Sequence, residues 1–502
     1  MIKRTWRKQH KWIGIGMTFF FVMFCVSGIL LNHRSLIKDV DVSRKCLPSN
    51  YKYENWNGGL LRGTLALDNK VLLYGNGGIW QTDSTASFFA DLNKGMPEGA
   101  DNRQIRNIIK TDNGEIMAVS PFALYNYGEH KAWHKMELPL DDDEKLTDVA
   151  SHGDTLVVLS RSYAYTSLPP YKNFRRIQLG APKNYKQRVT LFRTIWLLHS
   201  GELFGSVGKV AVDFIAVILV LLCITGVVFA LRPKQKTLLR LSLKLHDKIG
   251  RYTIAVTLLI VLTGWCLRPP VMIALVLNKI PAIPGTTLRS NNPWNDKLRM
   301  IRYDKDEHDW LVSTSEGFYS LKLNNGAMNK IESAPSVSVM GLNVLQKDAN
   351  GKWYCGSFSG LFVWDRQKGT TTDYFTHKPV PKKAGAPFGK KAIAGMSQDF
   401  VHQSSEASMT YKRSAIIADY YDGTTIIAQP SSMEYLPMSL WNVALEIHSG
   451  RFFIGNIATY IFIFVMGILA IWCLWSGYHI RLAKKKGKAI FKPRNKILTK
   501  GN

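Results

Sequence analysis

The chain has 502 residues, with 65 Lys and Arg against 37 Asp and Glu, so its formal net charge is +28. A charge of this size is found in nucleic-acid-binding proteins, but here the basic residues are concentrated beside four apolar blocks. We therefore exclude nucleic acid as a partner and expect a lipid bilayer instead.

The four apolar blocks are each about twenty residues long, which is the length of a helix that crosses a bilayer. They cover residues 12–31, 210–231, 249–267 and 454–475. The first block is too long for the apolar part of a signal peptide, and no small-residue cleavage pattern follows it, so we expect a retained anchor. The sequence therefore predicts a multi-pass membrane protein with four spans.

Basic residues predict the orientation of these spans. Five precede the first span, seven follow the second span up to and including Arg251 at the start of the third, and nine follow the fourth, with Asp247 as the single acidic residue among them. Because positively charged loops stay in the cytoplasm, we predict cytoplasmic termini and two periplasmic inserts, in the inner membrane of a bacterium. The predicted division is an N-terminus with the first span (1–31), insert 1 (32–194), a His-Ser-Gly segment with the second span (195–231), a basic cytoplasmic loop (232–248), the third span (249–267), insert 2 (268–446), a His-Ser-Gly segment with the fourth span (447–479) and a basic cytoplasmic tail (480–502).

Both inserts carry short runs of β-forming residues separated by turn signals such as Asn113-Gly114 and Asn350-Gly351. The units recur at about forty residues, which is the period of four-stranded propeller blades. Three units per insert could share one propeller, or each insert could be a separate β-rich domain. The predicted fold class is a polytopic α-helical membrane protein, a four-helix bundle of two pseudo-symmetric halves, with two β-rich, propeller-like periplasmic inserts.

Two cysteines lie outside the spans, Cys46 in insert 1 and Cys355 in insert 2. An oxidising compartment would allow a disulfide between them if the inserts meet. The chain has no Cys-x-x-Cys-His pattern, so haem attached through thioethers is not expected.

A His-Ser-Gly pattern occurs twice, and each copy leads into an apolar block. His199 precedes the second span and His448 precedes the fourth. At the start of the second span, Lys209 and Asp213 stand four residues apart, so they lie on one face of the helix and can pair. The repeat indicates two related halves and predicts that His199 lies near His448.

A second repeat opens the first and third spans. His10 and His246 are each followed eighteen residues later by a glycine, Gly28 and Gly264, that comes directly after Ser or Thr. The same pseudo-symmetry predicts that His10 lies near His246, at the end of the bundle opposite the other pair.

Paired imidazoles in a helix bundle suit the axial positions of a haem iron. The alternative for any single histidine is an interfacial side chain with a wetted tip, and the alternative metal is zinc, although no Cys or carboxylate joins the pairs at ligand spacing. His33, just after the first span, is a secondary candidate ligand. Arginines that could pair with haem propionates are Arg34, Arg193, Arg268 and Arg451.

The pattern His-x-x-Ile-Gly, the late Ser/Thr-Gly and the later His-Ser-Gly-x-x-Phe resemble the PepSY-associated transmembrane family over all four spans. The resemblance implies an inner-membrane protein that holds haem through histidines and reduces ferric siderophores. Because the two histidine pairs are predicted at opposite ends of the bundle, two haems b per chain are expected, one at each pair. Matched residue by residue, the implied ligands are His10, His199, His246 and His448.

The resulting hypothesis is a ferric-chelate reductase-like oxidoreductase that moves electrons across the membrane to a ferric siderophore or other periplasmic acceptor. The chain has no Gly-x-Gly-x-x-Gly fingerprint, so the electron donor is expected to be separate, either cytoplasmic or a quinol. The alternatives are a membrane-anchored periplasmic sensor or scaffold, and an accessory subunit of an uptake system without redox activity. Bound haem distinguishes the first hypothesis from the other two.

Overall fold

The computed structural model of the chain describes residues 2–490 apart from 184, 232–234, 337, 339–340, 381–388, 404–410, 414 and 453–455. Part of the predicted basic loop, the start of the predicted fourth span and the tail from residue 491 therefore lie outside the described residues. The chain forms two compact units, a helical unit (Met1–Arg34, Lys186–Arg289, Trp441–Asn502) and a β unit (Ser35–Tyr185, Ser290–Leu440).

The helices follow the apolar blocks and their borders. In chain order they are α1 (Ile2–Asn32), α2 (Arg34–Ile37), α3 (Leu191–Ser200), α4 (Gly205–Leu231), α5 (Lys236–Cys266), α6 (Val271–Leu277), α7 (Leu440–His448) and α8 (Asn456–Ile490). Four stretches are long and apolar enough to cross a membrane. They lie in α1, in α4 with the residues just before it, in α5 and in α8, so four candidate spans are confirmed. Helix α1 contacts α4 and α8, and α5 contacts the same two helices.

Helix α5 extends further than the third apolar block. It begins at Lys236, so the predicted loop 232–248 is helical over most of its length. Lys, Leu and Arg are good helix formers, and long basic side chains can reach the membrane surface from the end of a helix. The helix therefore continues through the basic segment that we predicted to be a loop.

The β unit is assembled from two stretches of chain. Its first stretch contains β1 (Asp41–Val42), β2 (Gly63–Leu67), β3 (Lys70–Gly75), β4 (Gly78–Thr82), β5 (Ala90–Asp91), β6 (Asn107–Lys110), β7 (Ile116–Val119), β8 (Leu124–Gly128), β9 (Ala132–Met136), β10 (Leu146–His152), β11 (Thr155–Ser160), β12 (Ala164–Ser167) and β13 (Arg175–Ile177). Strands β14 (Arg188–Thr190) and β15 (Lys279–Pro281) pair within the helical unit. The second stretch contains β16 (Leu298–Asp304), β17 (Asp309–Thr314), β18 (Gly317–Lys322), β19 (Ala327–Lys330), β20 (Leu342–Lys347), β21 (Trp353–Ser357), β22 (Gly360–Asp365), β23 (Thr370–Asp373), β24 (Ile393–Ser397), β25 (Val401–Gln403), β26 (Tyr411–Arg413), β27 (Ile416–Asp419) and β28 (Met438–Ser439).

These strands form antiparallel sheets in chain order. Five sheets have four strands each, β2–β5, β6–β9, β10–β13, β16–β19 and β20–β23, and β24 pairs with β27. The predicted Asn-Gly turns precede β7 and β21, where Gly114 and Gly351 adopt φ of 87° and 79°, a conformation that favours glycine. The β-rich character of both inserts is confirmed.

The first strands of successive sheets lie side by side. Contacts run from β2 to β6, β10, β16, β20 and β24, and β24 contacts β2 in turn. The step from β10 to β16 and the step from β24 to β2 each join one insert to the other. One core cluster accordingly combines Val157 and Leu159 of insert 1 with Trp310 and Val312 of insert 2. The two inserts therefore share one core.

The possible disulfide between the inserts is not formed. Cys46 and Cys355 are both free, and Cys46 is exposed. Cys355 is fully buried in a core cluster with Leu345 and Trp364, so its thiol points away from solvent. The two side chains therefore do not form a disulfide in this structure.

Candidate functional site

The first histidine pair lies where α1 meets α5. The rings of His10 and His246 have centroids 6.0 Å apart and planes inclined by 70°. Both histidines lie in the third turn of their helices, within the two basic segments. The structure thus brings together the two histidines that open the first and third spans.

The second pair joins the two short helices that precede α4 and α8. The rings of His199 and His448 also have centroids 6.0 Å apart, with planes inclined by 48°. The glycine of each His-Ser-Gly pattern ends its helix, since Gly201 and Gly450 adopt φ of 81° and 76°. The pattern therefore places each histidine in the last turn of a helix that stops directly after it.

All four imidazoles are held in the same way. Each Nδ1 lies 3.0 Å from a main-chain carbonyl oxygen of another helix. The carbonyls belong to Cys473 for His10, Leu222 for His246, Ile260 for His199 and Phe24 for His448. A carbonyl only accepts hydrogen bonds, so Nδ1 is the protonated nitrogen and the neutral ring keeps a free lone pair on Nε2. This is the tautomer that a metal-ligating histidine needs.

A hydroxyl group and a glycine accompany every one of these rings. The hydroxyls of Ser476, Thr225, Thr263 and Ser27 lie 3.1–3.2 Å from the Nδ1 of His10, His246, His199 and His448. The next residue is in each case a glycine that faces the same ring: Gly477, Gly226, Gly264 and Gly28. Sequence analysis found the Ser/Thr-Gly step in the first and third spans and missed it in the second and fourth. A search for Ser/Thr-Gly within each apolar block and in the two residues after it would have found all four.

The two pairs are well separated along the helices. His10 belongs to the first pair, and the carbonyl of Phe24 contacts His448 of the second pair. Both residues lie on α1, fourteen residues apart. At about 1.5 Å per residue this gives roughly 21 Å. One prosthetic group cannot serve both pairs.

The pairs fit a metal held from two sides. Imidazole–metal bonds of about 2.0–2.1 Å put two opposed ring nitrogens about 4 Å apart and their ring centroids roughly 6 Å apart. Both observed pairs have that separation. In the part of the chain that the structure describes, no three His, Cys, Asp or Glu residues converge on a common point, which a protein-only zinc site would require.

Positive charge surrounds the second pair. Burial lowers the pKa of Arg268 to about 10, with the like charge of Arg451 adding to the effect. Burial lowers the pKa of His199, and burial together with His199 and Arg268 lowers the pKa of His448 to about 3. Both imidazoles are therefore neutral at physiological pH. Arg451 donates to Glu446 and is half-exposed, whereas Arg268 is enclosed near the rings.

His33, the secondary candidate, lies outside both pairs. Its Nε2 is 2.7 Å from Oδ2 of Asp213, and Asn32 donates to Oδ1 of the same carboxylate at 3.1 Å. Asp213 therefore bonds to the last residue of α1 and to the turn residue after it, and not to Lys209 one helical turn away. Asn32 also donates to the carbonyl of Ser200 at 3.2 Å, which ties this cluster to the end of α3.

Comparison with known proteins gives a family and weak structural likenesses. A family model described as the PepSY-associated TM region matches residues 1–228 and 125–484. No curated protein matches the chain. A solved structure described as the extracellular domain of a hybrid two component system from B. thetaiotaomicron is 12% identical at a TM-score of 0.32, over 65% of this chain and 30% of that one. The computationally designed Ika8 protein is 6% identical at a TM-score of 0.28, over 69% and 67% of the two chains. The chain spans less than a third of the first of these structures, and neither likeness bears on function.

Proposed function

Because the chain belongs to the PepSY-associated transmembrane family, we propose that it is a multi-pass inner-membrane haem protein that passes electrons across the membrane. The proposed ligands are His10 with His246 for one haem b and His199 with His448 for a second. The acceptor is a periplasmic ferric siderophore or other ferric chelate, and the donor is a separate cytoplasmic protein or a quinol. Both termini are cytoplasmic in this proposal.

The observation that carries the proposal is the fourfold repetition of one ligand arrangement. Each imidazole has its Nδ1 fixed on a main-chain carbonyl, a hydroxyl beside it and a glycine against its ring. An interfacial histidine needs none of these features, whereas an axial ligand needs a fixed tautomer and a fixed ring plane. Equal centroid separations of 6.0 Å in two independent pairs support the same reading.

In this proposal the protein's own groups would bind the haems and orient the histidines that hold them. Bound haem would supply one-electron redox chemistry. The carbonyls of α1, α4, α5 and α8 orient the four ligands, and the facing glycines leave the rings room. Arg268 offers positive charge to an acidic substituent beside the second pair. His10 with His246, and His199 with His448, would each hold a haem through two imidazoles, and such ligation would favour electron transfer over oxygen chemistry.

We also infer the finer architecture. The mutual contacts of α1, α4, α5 and α8 support a four-helix bundle. The cyclic order of β2, β6, β10, β16, β20 and β24 supports one six-bladed propeller built jointly by both inserts, with β24–β27 as its last blade. In this architecture the propeller is the periplasmic part of the protein.

Haem content in single-ligand variants tests the proposal. The wild type, produced with ample haem, is expected to hold two haems with a six-coordinate, low-spin spectrum in both oxidation states. His199→Ala and His448→Ala should each lose the same haem, and His10→Ala and His246→Ala should each lose the other. His479→Ala is the matched control, since that ring stacks on Trp6 with centroids 4.8 Å apart and lies outside both pairs.

Two outcomes would contradict the proposal at different levels. Wild-type haem content in all four ligand variants would make the ligand assignment wrong. A wild type that contains no haem would remove the electron-transfer proposal and leave the anchored sensor, scaffold or accessory subunit in its place.

A further inference from the structure

Polar side chains line the inner strands of the β unit. The residues concerned are Thr64 of β2, Asn107 of β6, Asp148 of β10, Arg302 of β16, Gln346 of β20 and Ser397 of β24. Neighbours among them are hydrogen-bonded: Thr64 to Ser397 at 2.7 Å, Asn107 to Asp148 at 2.9 Å and Asp148 to Arg302 at 2.5 Å. Because the six strands follow one another in a cycle, these groups form a polar belt around the centre of the unit.

The buried carboxylate of this belt is fully engaged. Oδ1 of Asp148 accepts hydrogen bonds from the Asn107 amide and from the main-chain N–H of the next residue. Oδ2 accepts from Arg302 and from the main-chain N–H of Ile301. Arg302 also donates through Nε to the carbonyl of Leu345 at 3.1 Å. Asp148 and Arg302 therefore neutralise each other and have little capacity left for a further partner.

Arg62 lies directly before β2, and its side chain has a buried nitrogen without a hydrogen-bond partner. Its main chain is fixed, because its N–H donates to Tyr74 at 2.8 Å and its carbonyl accepts from Met396 at 3.3 Å. Its side chain is near the Tyr74 hydroxyl and Asp148, yet its Nε is buried without a hydrogen-bond partner. No residue that the structure describes forms an ion pair with this guanidinium, although the residue as a whole is partly exposed.

A guanidinium whose Nε is buried without a partner is costly in a folded protein. Buried polar groups nearly always have partners, and an unpaired charge is more expensive than an unpaired neutral group. Arg stays charged in proteins, so deprotonation cannot remove the cost. Burial lowers the pKa of Arg62 without changing that conclusion. The group most suited to a partly accessible guanidinium is a planar carboxylate, which it binds through two parallel hydrogen bonds.

We propose that Arg62 is the anchor of a small-molecule carboxylate site at the centre of the β unit. Asp399, whose Oδ2 accepts from Thr64 at 2.6 Å, lies at the same end of the belt and limits the negative charge that the site accepts. A ligand that presents one carboxylate to Arg62 fits better than a polyphosphate. The site lies wholly within the β unit, so this proposal goes beyond the haem function and does not depend on it.

Thermal unfolding of the β unit in the full-length, detergent-solubilised protein tests the proposal. The probes are acetate, succinate and citrate, each against sulfate at equal ionic strength and followed by tryptophan fluorescence. Ligand that binds only the folded state raises the unfolding temperature as its concentration passes its dissociation constant. At least one carboxylate should raise the temperature of the wild type and of the control Arg161→Gln, whose partner is Asp296, but leave Arg62→Gln unchanged.

The unfolding temperatures of the wild type and the variants without added carboxylate give a second test. Removing an unpaired charge should leave the unfolding temperature of Arg62→Gln at or above the wild-type value, as expected when a binding residue costs stability. A fall of several degrees would show that Arg62 has a structural partner and would overturn the proposal. Equal responses of Arg62→Gln and the wild type to every probe, including no response, would overturn it as well. Haem content is not expected to change in either variant, so failure here leaves the haem proposal untouched.

Discussion

A methyl group added at Gly264 should displace the ring of His199. An ideal Cβ at this position lies 2.7 Å from Cε1 of that imidazole. Carbon atoms prefer contacts of about 3.5–4.0 Å, so the ring must move by roughly 1 Å. A movement of that size away from the Ile260 carbonyl, now 3.0 Å from Nδ1, breaks a hydrogen bond that orients the ligand. Loss of such orienting partners typically lowers metal affinity by about 10- to 100-fold.

Gly226→Ala is the matched control for Gly264→Ala. Its added Cβ lies 3.4 Å from Cε1 of His246, which requires almost no movement. Both changes replace a glycine inside a helix, where Ala is more favourable by about 1 kcal/mol, so helix propensity predicts that both variants fold at least as well as the wild type.

Haem retained per chain after gel filtration, with haem limiting, is the measurement for this comparison. We expect Gly264→Ala to lose one of two haems and Gly226→Ala to keep both. If the two variants retain equal haem with unchanged low-spin spectra, the glycines are mere helix-packing residues and the reasoning is wrong.

Three further predictions concern the β unit and the third candidate histidine. Arg366→Ala leaves Asp304 and Asp309 buried without their shared partner, which costs about 3–5 kcal/mol and should lower the unfolding temperature of the β unit by roughly 5–10 °C in a fluorescence melt. Burial raises the pKa of Asp304, but hydrogen bonds from Lys347 and Arg366 outweigh it and hold that pKa below its ordinary value. The stability from this carboxylate is therefore complete above about pH 4 and is lost as the pH falls through the lowered pKa, so melting temperatures measured from pH 7 to 3 should drop only below about pH 4. His33→Ala should retain wild-type haem content, and loss of a haem in that variant would contradict the assigned pairs.

The features that sequence patterns predicted well are those with a local or periodic signature. Four spans follow from apolar length, and the histidine pairs follow from equal spacing in the two halves. Ser27-Gly28 and Thr263-Gly264 were found by their equal spacing from a histidine earlier in their own helix, although the ring that each faces belongs to another helix. Thr225-Gly226 and Ser476-Gly477 escaped because no histidine precedes them at an equal spacing.

The sequence did not predict which residues far apart in the chain contact each other. A pair between Asp213 and Lys209, four positions apart, follows from a sound local rule, but His33, in the turn after α1, is the partner that Asp213 contacts. Turn signals and a forty-residue period predicted β units without showing that β2 lies against β24, more than three hundred residues later. Such contacts depend on how two distant segments pack, which no local pattern encodes.

The shared core of the two inserts has a consequence for biosynthesis. Ser35–Tyr185 is synthesised well before Ser290–Leu440, which supplies the neighbours of β2 and β10. At about 5–20 residues per second, the roughly 250 residues after position 185 take about 13–50 s to emerge. For about the first half of that interval Val157 and Leu159 lack Trp310 and Val312, which cover them in the folded protein. The half-made unit must therefore be shielded from aggregation for tens of seconds, and a chain that stops after the third span should be a substrate for chaperones and proteases rather than a stable fragment.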